Sequence, residues 1–335
     1  MTIKDVAAAA GVSSGTVSNV LNHPELVRPD TRARVEAAIA STGFVPHASA
    51  RHLGSGRSDI VAFLVPDAAN PFFTDIARVL RARAHEVGLS LILCDAGYNA
   101  EVEDRYLDEL ARMRVLGGFL ASPRHGNPRL KRLRQQGVRL VFFDQLRDGH
   151  GQWCGATVDD VRGGVLAAEH LVAQGRHRIA YVGGTLDIPQ VVDRVAGARQ
   201  GVESSLVPNA SLTVLTTPSM TVRDGLAAGA RIVAEPASRR PTGIFCGNDL
   251  VALGLLHQLL RAGVKVPDEV ALVGFDNIEF AETAVIPLTS VAPPVELLAR
   301  EAVSMLIDEV GNDTHEHRQV LYPPRLVVRG SSVAG

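Results

Sequence analysis

The sequence predicts an α+α/β protein: a small helical headpiece at residues 1–45, a connecting segment at 46–57, and a two-lobed body of parallel sheets at 58–335. Three observations carry this expectation. Apolar residues recur at helical spacing through three short segments before residue 46. Short, nearly continuous apolar runs alternate with amphipathic stretches after residue 58. Between them lies Gly54-Ser55-Gly56-Arg57-Ser58, whose small and polar residues suit a linker.

In the headpiece, Ile3, Val6, Ala7 and Ala10 share one helical face. Thr2 stands as N-cap with Asp5 three residues later, and Gly11 suits the left-handed turn that ends a helix. Ser13 or Ser14 caps a second short helix that turns Val17, Val20 and Leu21 inward. This is the spacing of a helix-turn-helix, whose second helix enters a DNA major groove. On pattern alone, an αα-hairpin that merely packs stays open. Pro29-Asp30-Thr31 opens a third helix with Val35, Ala38 and Ile39 inward, ending at Gly43-Phe44-Val45-Pro46.

In the body, the apolar runs are 60–65, 89–94, 116–121, 138–143, 179–183, 212–216, 243–246 and 270–275. Such runs separated by helices mean parallel sheets covered on both faces, and their number suits two doubly wound lobes. The first lobe is placed at about 58–157 and 291–318, the second at about 158–290 and 319–330. Ligands in these folds bind beyond the carboxyl ends of the strands. Arg124 follows the third run and Asp144-Gln145 the fourth, each as a ligand group or a helix-entry cap. Asn248-Asp249 and Asp276-Asn277 follow later runs, with Asp249 read as a helix cap.

Composition narrows the function. Hydrophobic residues make up 46% and charged residues 21%, as in ordinary soluble domains, and no run is long and apolar enough for a membrane span. The opening Met1-Thr2-Ile3-Lys4-Asp5-Val6 lacks the apolar core of a signal peptide, and Cys94, Cys154 and Cys246 form no CxxC pair. A cytoplasmic setting with free thiols is expected. Residues 1–57 carry six Lys/Arg against four Asp/Glu, or +2, and the remainder carries −4. That split permits a DNA-contacting head without demanding one. No GxSxG, HExxH, Walker A or suitably placed GxGxxG is present. His170 and His177 have no evident third partner, so neither metal nor cofactor is expected.

The ordered series Ile3-Lys4-Asp5-Val6-Ala7, Gly11-Val12-Ser13, Thr16-Val17-Ser18, Val20-Leu21-Asn22 and Gly43-Phe44-Val45-Pro46 resembles the lactose-repressor/galactose-repressor family. The likeness continues through Ala48, Ala50-Arg51 and Leu53 to Val327-Val328-Arg329-Gly330-Ser331, essentially the whole chain. It implies a sequence-specific DNA-binding transcription regulator, a repressor by expectation, with a periplasmic-binding-protein-like body that senses a small molecule. Carried over, Ser14, Gly15 and Asn19 read bases, while Thr16 and Ser18 meet phosphates. Asn19 can pair with adenine; Gly15 can read nothing itself. Residues 46–53 alone could be a simple linker. The resemblance makes them a hinge helix formed on DNA, with Leu53 as a minor-groove wedge and Ala50 keeping two copies close. A homodimer on palindromic operator DNA follows, and Val327 to Gly335 show no leucine heptad for a tetramer.

For the body, the resemblance directs Phe73, Arg194, Asn248 and Asp276 into the effector cleft. One aromatic face with donors, an amide and a carboxylate suits a sugar or sugar-like polyol, while Arg194 with Arg124 would equally suit a phosphate or carboxylate. Phe72 is read as core, and Trp153 as structural or stacked on ligand. The competing reading is a solute-binding or enzymatic α/β protein whose N-terminal helices only pack.

Overall fold

In the computed structural model, the described residues are 1–44, 58–121, 123–124, 126–143, 152–205, 207–312 and 314–333. The chain divides into two compact units. One is Met1–Ile60 with Arg114–Leu116, and the other is Val61–Met113 with Gly117–Gly335.

In the first unit, α1 (Ile3–Ala10) starts where the Asp5 carboxylate accepts the Thr2 N–H at 2.7 Å. It ends at Gly11, whose φ of 65° lets the Val12 N–H return to the Ala7 carbonyl at 3.0 Å. Helix α2 (Ser14–Asn22) is capped by Ser13, whose hydroxyl accepts the Thr16 N–H at 3.1 Å. A 3₁₀ turn (Pro24–Leu26) leads to α3 (Pro29–Thr42), which begins on the N1 proline and stops at left-handed Gly43. Val6, Ala7, Ala10, Val17, Val20, Val35, Ala38 and Phe44 form the small core, with Ile3, Val12, Leu21, Val27 and Ile39 around it.

The second unit contains two six-stranded sheets, one per lobe. The first has the order β11-β5-β4-β3-β1-β2, built from β1 (Ile60–Val65), β2 (Ser90–Asp95), β3 (Gly117–Ala121), β4 (Arg139–Phe143), β5 (Cys154–Val158) and β11 (Gln319–Tyr322). The second has the order β12-β10-β9-β8-β6-β7, from β6 (Arg178–Gly183), β7 (Ser211–Thr216), β8 (Gly243–Cys246), β9 (Ala271–Phe275), β10 (Thr289–Ala292) and β12 (Arg325–Val327). Pairing is parallel from β1 through β3, β4 and β5 to β11, and from β7 through β6, β8 and β9 to β10. Only β12, of the pairings described, runs antiparallel, against β10. The helices of the first lobe are α4 (Pro71–Glu86), α5 (Ala100–Met113), α6 (Pro128–Gln135) and α12 (Val295–Gly311). Those of the second are α7 (Asp160–Ala173), α8 (Pro189–Glu203), α9 (Val222–Ala234), α10 (Asp249–Arg261) and the short α11 (Glu279–Thr283).

The lobe limits differ from the sequence reading. Strand β10 pairs with β9, so the chain stays in the second lobe through Ala292 rather than leaving near 291. Strand β11 pairs with β5, so residues 319–322 belong to the first lobe, not the second. Both later crossings carry proline pairs, Pro293-Pro294 and Pro323-Pro324. With no N–H to give, they end one ladder and release the chain to the other sheet. Among the described residues, no helix is long and apolar enough to cross a membrane.

Candidate functional site

Two sites take shape, one in each unit. In the first, Val17 and Val20 turn into the core, so the opposite face of α2 looks to solvent. Gly15 and Asn19 are exposed on it, one helical turn apart, and Ser14, Thr16 and Ser18 are half-buried beside them. The Thr16 hydroxyl lies 2.9 Å from that of Ser13, and the Ser18 hydroxyl accepts from the Asn22 amide at 3.3 Å. Two of the expected phosphate contacts are thus held in place, one by the N-cap and one by a neighbour on the same helix. Ala50 and Leu53 lie outside the described residues.

In the second unit, a cleft opens at the carboxyl ends of the strands of both lobes. One wall comes from the first lobe: Pro66 after β1, Asn70, Phe72 and Phe73 at the start of α4, and Tyr98 after β2. The other comes from the second: Ile188, Gln190 and Arg194 on or beside α8, Met220, Asn248 after β8, and Asp276 after β9. The Asn70 side chain caps α4 by accepting the Phe72 N–H at 3.1 Å and donates across the cleft to the Asp276 carboxylate at 3.4 Å. Phe72 and Phe73 meet edge to face with centroids 5.3 Å apart. Both line the cleft, so Phe72 is more than the core residue expected.

Arg194 is 6% exposed. Its Nε donates to Asp160 Oδ1 at 2.7 Å, its Nη1 donates to the Gly247 carbonyl at 2.5 Å, and its guanidinium lies 3.5 Å from the Phe275 ring centre. Burial pushes the Asp160 carboxyl upward while the Arg194 charge pulls against it. Burial likewise raises Asp276 to about 7, opposed by Arg194 and by the Asn70 hydrogen bond. Asp276 adopts φ 102°, a left-handed backbone that Asp tolerates better than most residues. Asn248 accepts the Val251 N–H at 2.9 Å and donates to the Met220 carbonyl at 3.0 Å. It, not Asp249, is the N-cap of α10. Asp249 is fully buried instead, accepting the Ile278 N–H and the Ser290 hydroxyl at 2.9 and 2.7 Å.

The cleft therefore brings together Phe73, Arg194, Asn248 and Asp276. Arg124 is a correction: it is held by Glu103 and Asp104 of α5 and does not line the cleft. Two carboxylates on the neighbouring helix pair with its guanidinium. Asp144 lies outside the described residues. Trp153 sits at the amino end of β5, away from the cleft, packed on Phe142 at 5.4 Å and under Arg134 at 5.2 Å. The sequence reading missed Asn70, Tyr98, Gln190 and Met220. Gln190 stands one helical turn before Arg194 on α8, and that spacing was the available signal.

Residues 2–47 match the family described as bacterial regulatory proteins, lacI family, and residues 168–332 match the periplasmic binding protein-like domain. The HTH-type transcriptional regulator DegA of Bacillus subtilis (strain 168) is 30% identical over 335 residues, covering 99% of this chain and 98% of the relative. The structure of the transcriptional regulator CelR–cellobiose complex superposes with a TM-score of 0.71 at 30% identity, covering 99% of both chains. A LacI family transcriptional regulator from Enterococcus faecium with bound ribose gives a TM-score of 0.74 at 29% identity, covering 82% of this chain and 98% of the other.

Proposed function

This chain belongs to the lacI family of bacterial regulatory proteins and is an HTH-type, DNA-binding transcription regulator; from that premise we propose that it is a cytoplasmic repressor, binding palindromic operator DNA as a homodimer under the control of a sugar or sugar derivative. The observation that carries the sugar reading is the cleft's composition. Phe72, Phe73 and Tyr98 offer ring faces on one wall, and Gln190, Arg194, Asn248 and Asp276 offer polar groups on the other. Aromatic faces stack on sugar rings, and carboxylates and amides bridge neighbouring hydroxyls. The cellobiose and ribose complexes of similar regulators support the same class. In this reading the cleft binds without turnover. An effector that joins the two walls shifts their separation, and operator affinity changes by about 5- to 150-fold, the range of a typical allosteric coupling.

On the DNA side, Asn19 is the principal base reader, with Ser14 and Gly15 at the groove, Thr16 and Ser18 on phosphates, and Ala50 with Leu53 in the minor groove. Asn19→Ala should cost about 1–3 kcal/mol of operator affinity while leaving headpiece stability nearly unchanged, because its side chain is exposed. Fluorescence anisotropy on DNA from the protein's own promoter region measures this. The decisive experiment is a thermal-shift screen of sugars, followed by anisotropy with and without each hit. A sugar that raises the melting temperature and changes operator affinity is expected. No hit among sugars, or consumption of the bound sugar by the purified protein, would overturn the reading.

A further inference from the structure

At the amino end of the first sheet, opposite the cleft, three side chains with metal-binding atoms converge. Cys154 opens β5, and His315 and His317 lie in the segment leading into β11. The sequence keeps Cys154 more than 160 positions from the two histidines. The fold joins them because β11 runs parallel beside β5 with Gln319 opposite Gly155, and the Gly155 N–H donates to the Arg318 carbonyl at 3.0 Å. Cys154 Sγ is 3.2 Å from His315 Nε2 and 3.7 Å from His317 Nδ1, and one ligand atom from each residue lies within 4.8 Å of the others. Tetrahedral zinc, with bonds of about 2.3 Å to sulfur and about 2.0–2.1 Å to nitrogen, sets its ligand atoms roughly 3.3–3.6 Å apart. The two sulfur–nitrogen distances bracket that range.

The surroundings are those of a built site. His315 has 5% of its side chain exposed, and its far nitrogen, Nδ1, lies 2.6 Å from Asp308 Oδ2. A carboxylate there holds the proton on Nδ1 and leaves the Nε2 lone pair aimed at the thiol side, the arrangement by which carboxylates orient metal-bound imidazoles. Glu309, next to Asp308 on α12, has Oε2 buried with no hydrogen-bond partner among the described residues. Arg134 Nη2 stands 2.9 Å from His317 Nε2. The guanidinium can only donate, so metal on Nδ1, which puts the ring proton on Nε2, breaks this contact and leaves Arg134 its bonds to the Gln152 carbonyl and the Trp153 face.

We propose that Cys154, His315 and His317 bind a divalent cation of the zinc class, with Asp308 orienting His315 and water in the fourth position. A thiolate with two imidazoles selects zinc-like ions over magnesium or calcium, which favour oxygen. As the metal–sulfur bond forms, the Cys154 thiol proton leaves to solvent. The bound ion ties the edge strand β11 to β5, at the end of the sheet opposite the sugar cleft.

The test is Co²⁺ titration of the chelator-stripped full-length protein. One equivalent per chain is expected, with a thiolate charge-transfer band in the near ultraviolet and the visible bands of tetrahedral cobalt, both erased by added Zn²⁺. Cys154→Ser should abolish the charge-transfer band, and Cys94→Ser should leave it intact. Since Cys154 is fully buried, two further variants guard against misfolding. His317→Asn should weaken Zn²⁺ binding against a chromophoric chelator, and Asp308→Asn should weaken it by about 10- to 100-fold. A charge-transfer band that never forms, that survives Cys154→Ser, or an affinity unmoved by both His317→Asn and Asp308→Asn would overturn the site.

Discussion

Arg194 is the residue on which the cleft wall hangs. Its guanidinium serves Asp160, the Gly247 carbonyl and the Phe275 ring together, so it is at once a cleft residue and a strut beneath it. Arg194→Ala leaves Asp160 buried without its ion-pair partner, and a loss of about 3–5 kcal/mol in urea unfolding is expected. Arg194→Lys restores charge but not the planar fork, and should recover only part of the loss. A variant as stable as the parent would show that the strut carries no load. Asp276 gives a pH prediction. Its carboxyl titrates near 7 in the folded chain and near 3.9 when unfolded, so folding takes up a proton between those values. Its favourable contribution is complete below about pH 4 and is lost as pH rises through 7. Parent stability should fall relative to Asp276→Asn across that window, with a slope approaching 1.4 kcal/mol per pH unit, roughly the limit for one proton. Parallel pH profiles in urea unfolding would refute the assignment. At this scale Phe73, Arg194, Asn248 and Asp276 were legible because each follows a strand or matches a family position. Arg124 was misplaced because its partners, Glu103 and Asp104, lie on a helix whose approach no single-residue reading contains.

Helices α7 and α8 cross through their own glycines. A Cβ at Gly197 would stand 1.9 Å from the Val161 carbonyl, and one at Gly164 would stand 2.2 Å from the Arg194 carbonyl. Helices α9 and α10 repeat the device, with Gly225 against the Val251 carbonyl and Gly254 against the Val222 carbonyl, each at 2.1 Å. These are backbone contacts that no rotamer change relieves. Gly197→Ala should therefore destabilise by at least about 1–3 kcal/mol in urea unfolding. Because α8 carries Gln190 and Arg194, the same change should also weaken effector binding. Gly15→Ala is the contrast: its nearest neighbour is the Ser13 hydroxyl at 3.6 Å, so headpiece stability should hold or rise. Equal losses for the two variants would deny the crossing its role. Eight strands were visible in the sequence as apolar runs. The four that were not, β5, β10, β11 and β12, are three to five residues long and lie where the chain passes between lobes. Strand β11 alternates exposed and half-buried residues at a sheet edge, so its identity comes from pairing with β5 rather than from its own composition. The same pairing assembles the Cys154, His315 and His317 cluster, which spacing along the chain could not reveal.

For the whole molecule, regulation rests on how the two walls of the cleft communicate. Three chain crossings join the lobes, two of them at proline pairs, and Asn70 donates from the first lobe to Asp276 of the second. That hydrogen bond spans the cleft and is lost if the walls part. A sugar bridging Phe73 and Tyr98 to Asn248 and Asp276 would act on the same separation and bias the same equilibrium. Asn70→Asp isolates the effect. The new carboxylate still accepts the Phe72 N–H and caps α4, but it loses the donor to Asp276 and sets two buried acids against each other. The lobes should part, giving a larger radius of gyration by small-angle X-ray scattering without effector. Operator affinity should shift toward the value the parent shows in whichever effector state has the wider cleft. Effector affinity should fall as well, because binding then has to restore the lost approach. Lowering the pH below the Asp276 titration would protonate one of the paired acids and return the variant toward the parent in both measurements. If Asn70→Asp changed effector affinity but left the scattering profile and the operator affinity untouched, the contact would be a ligand-binding detail and lobe separation would not be the signal read by the DNA-binding head.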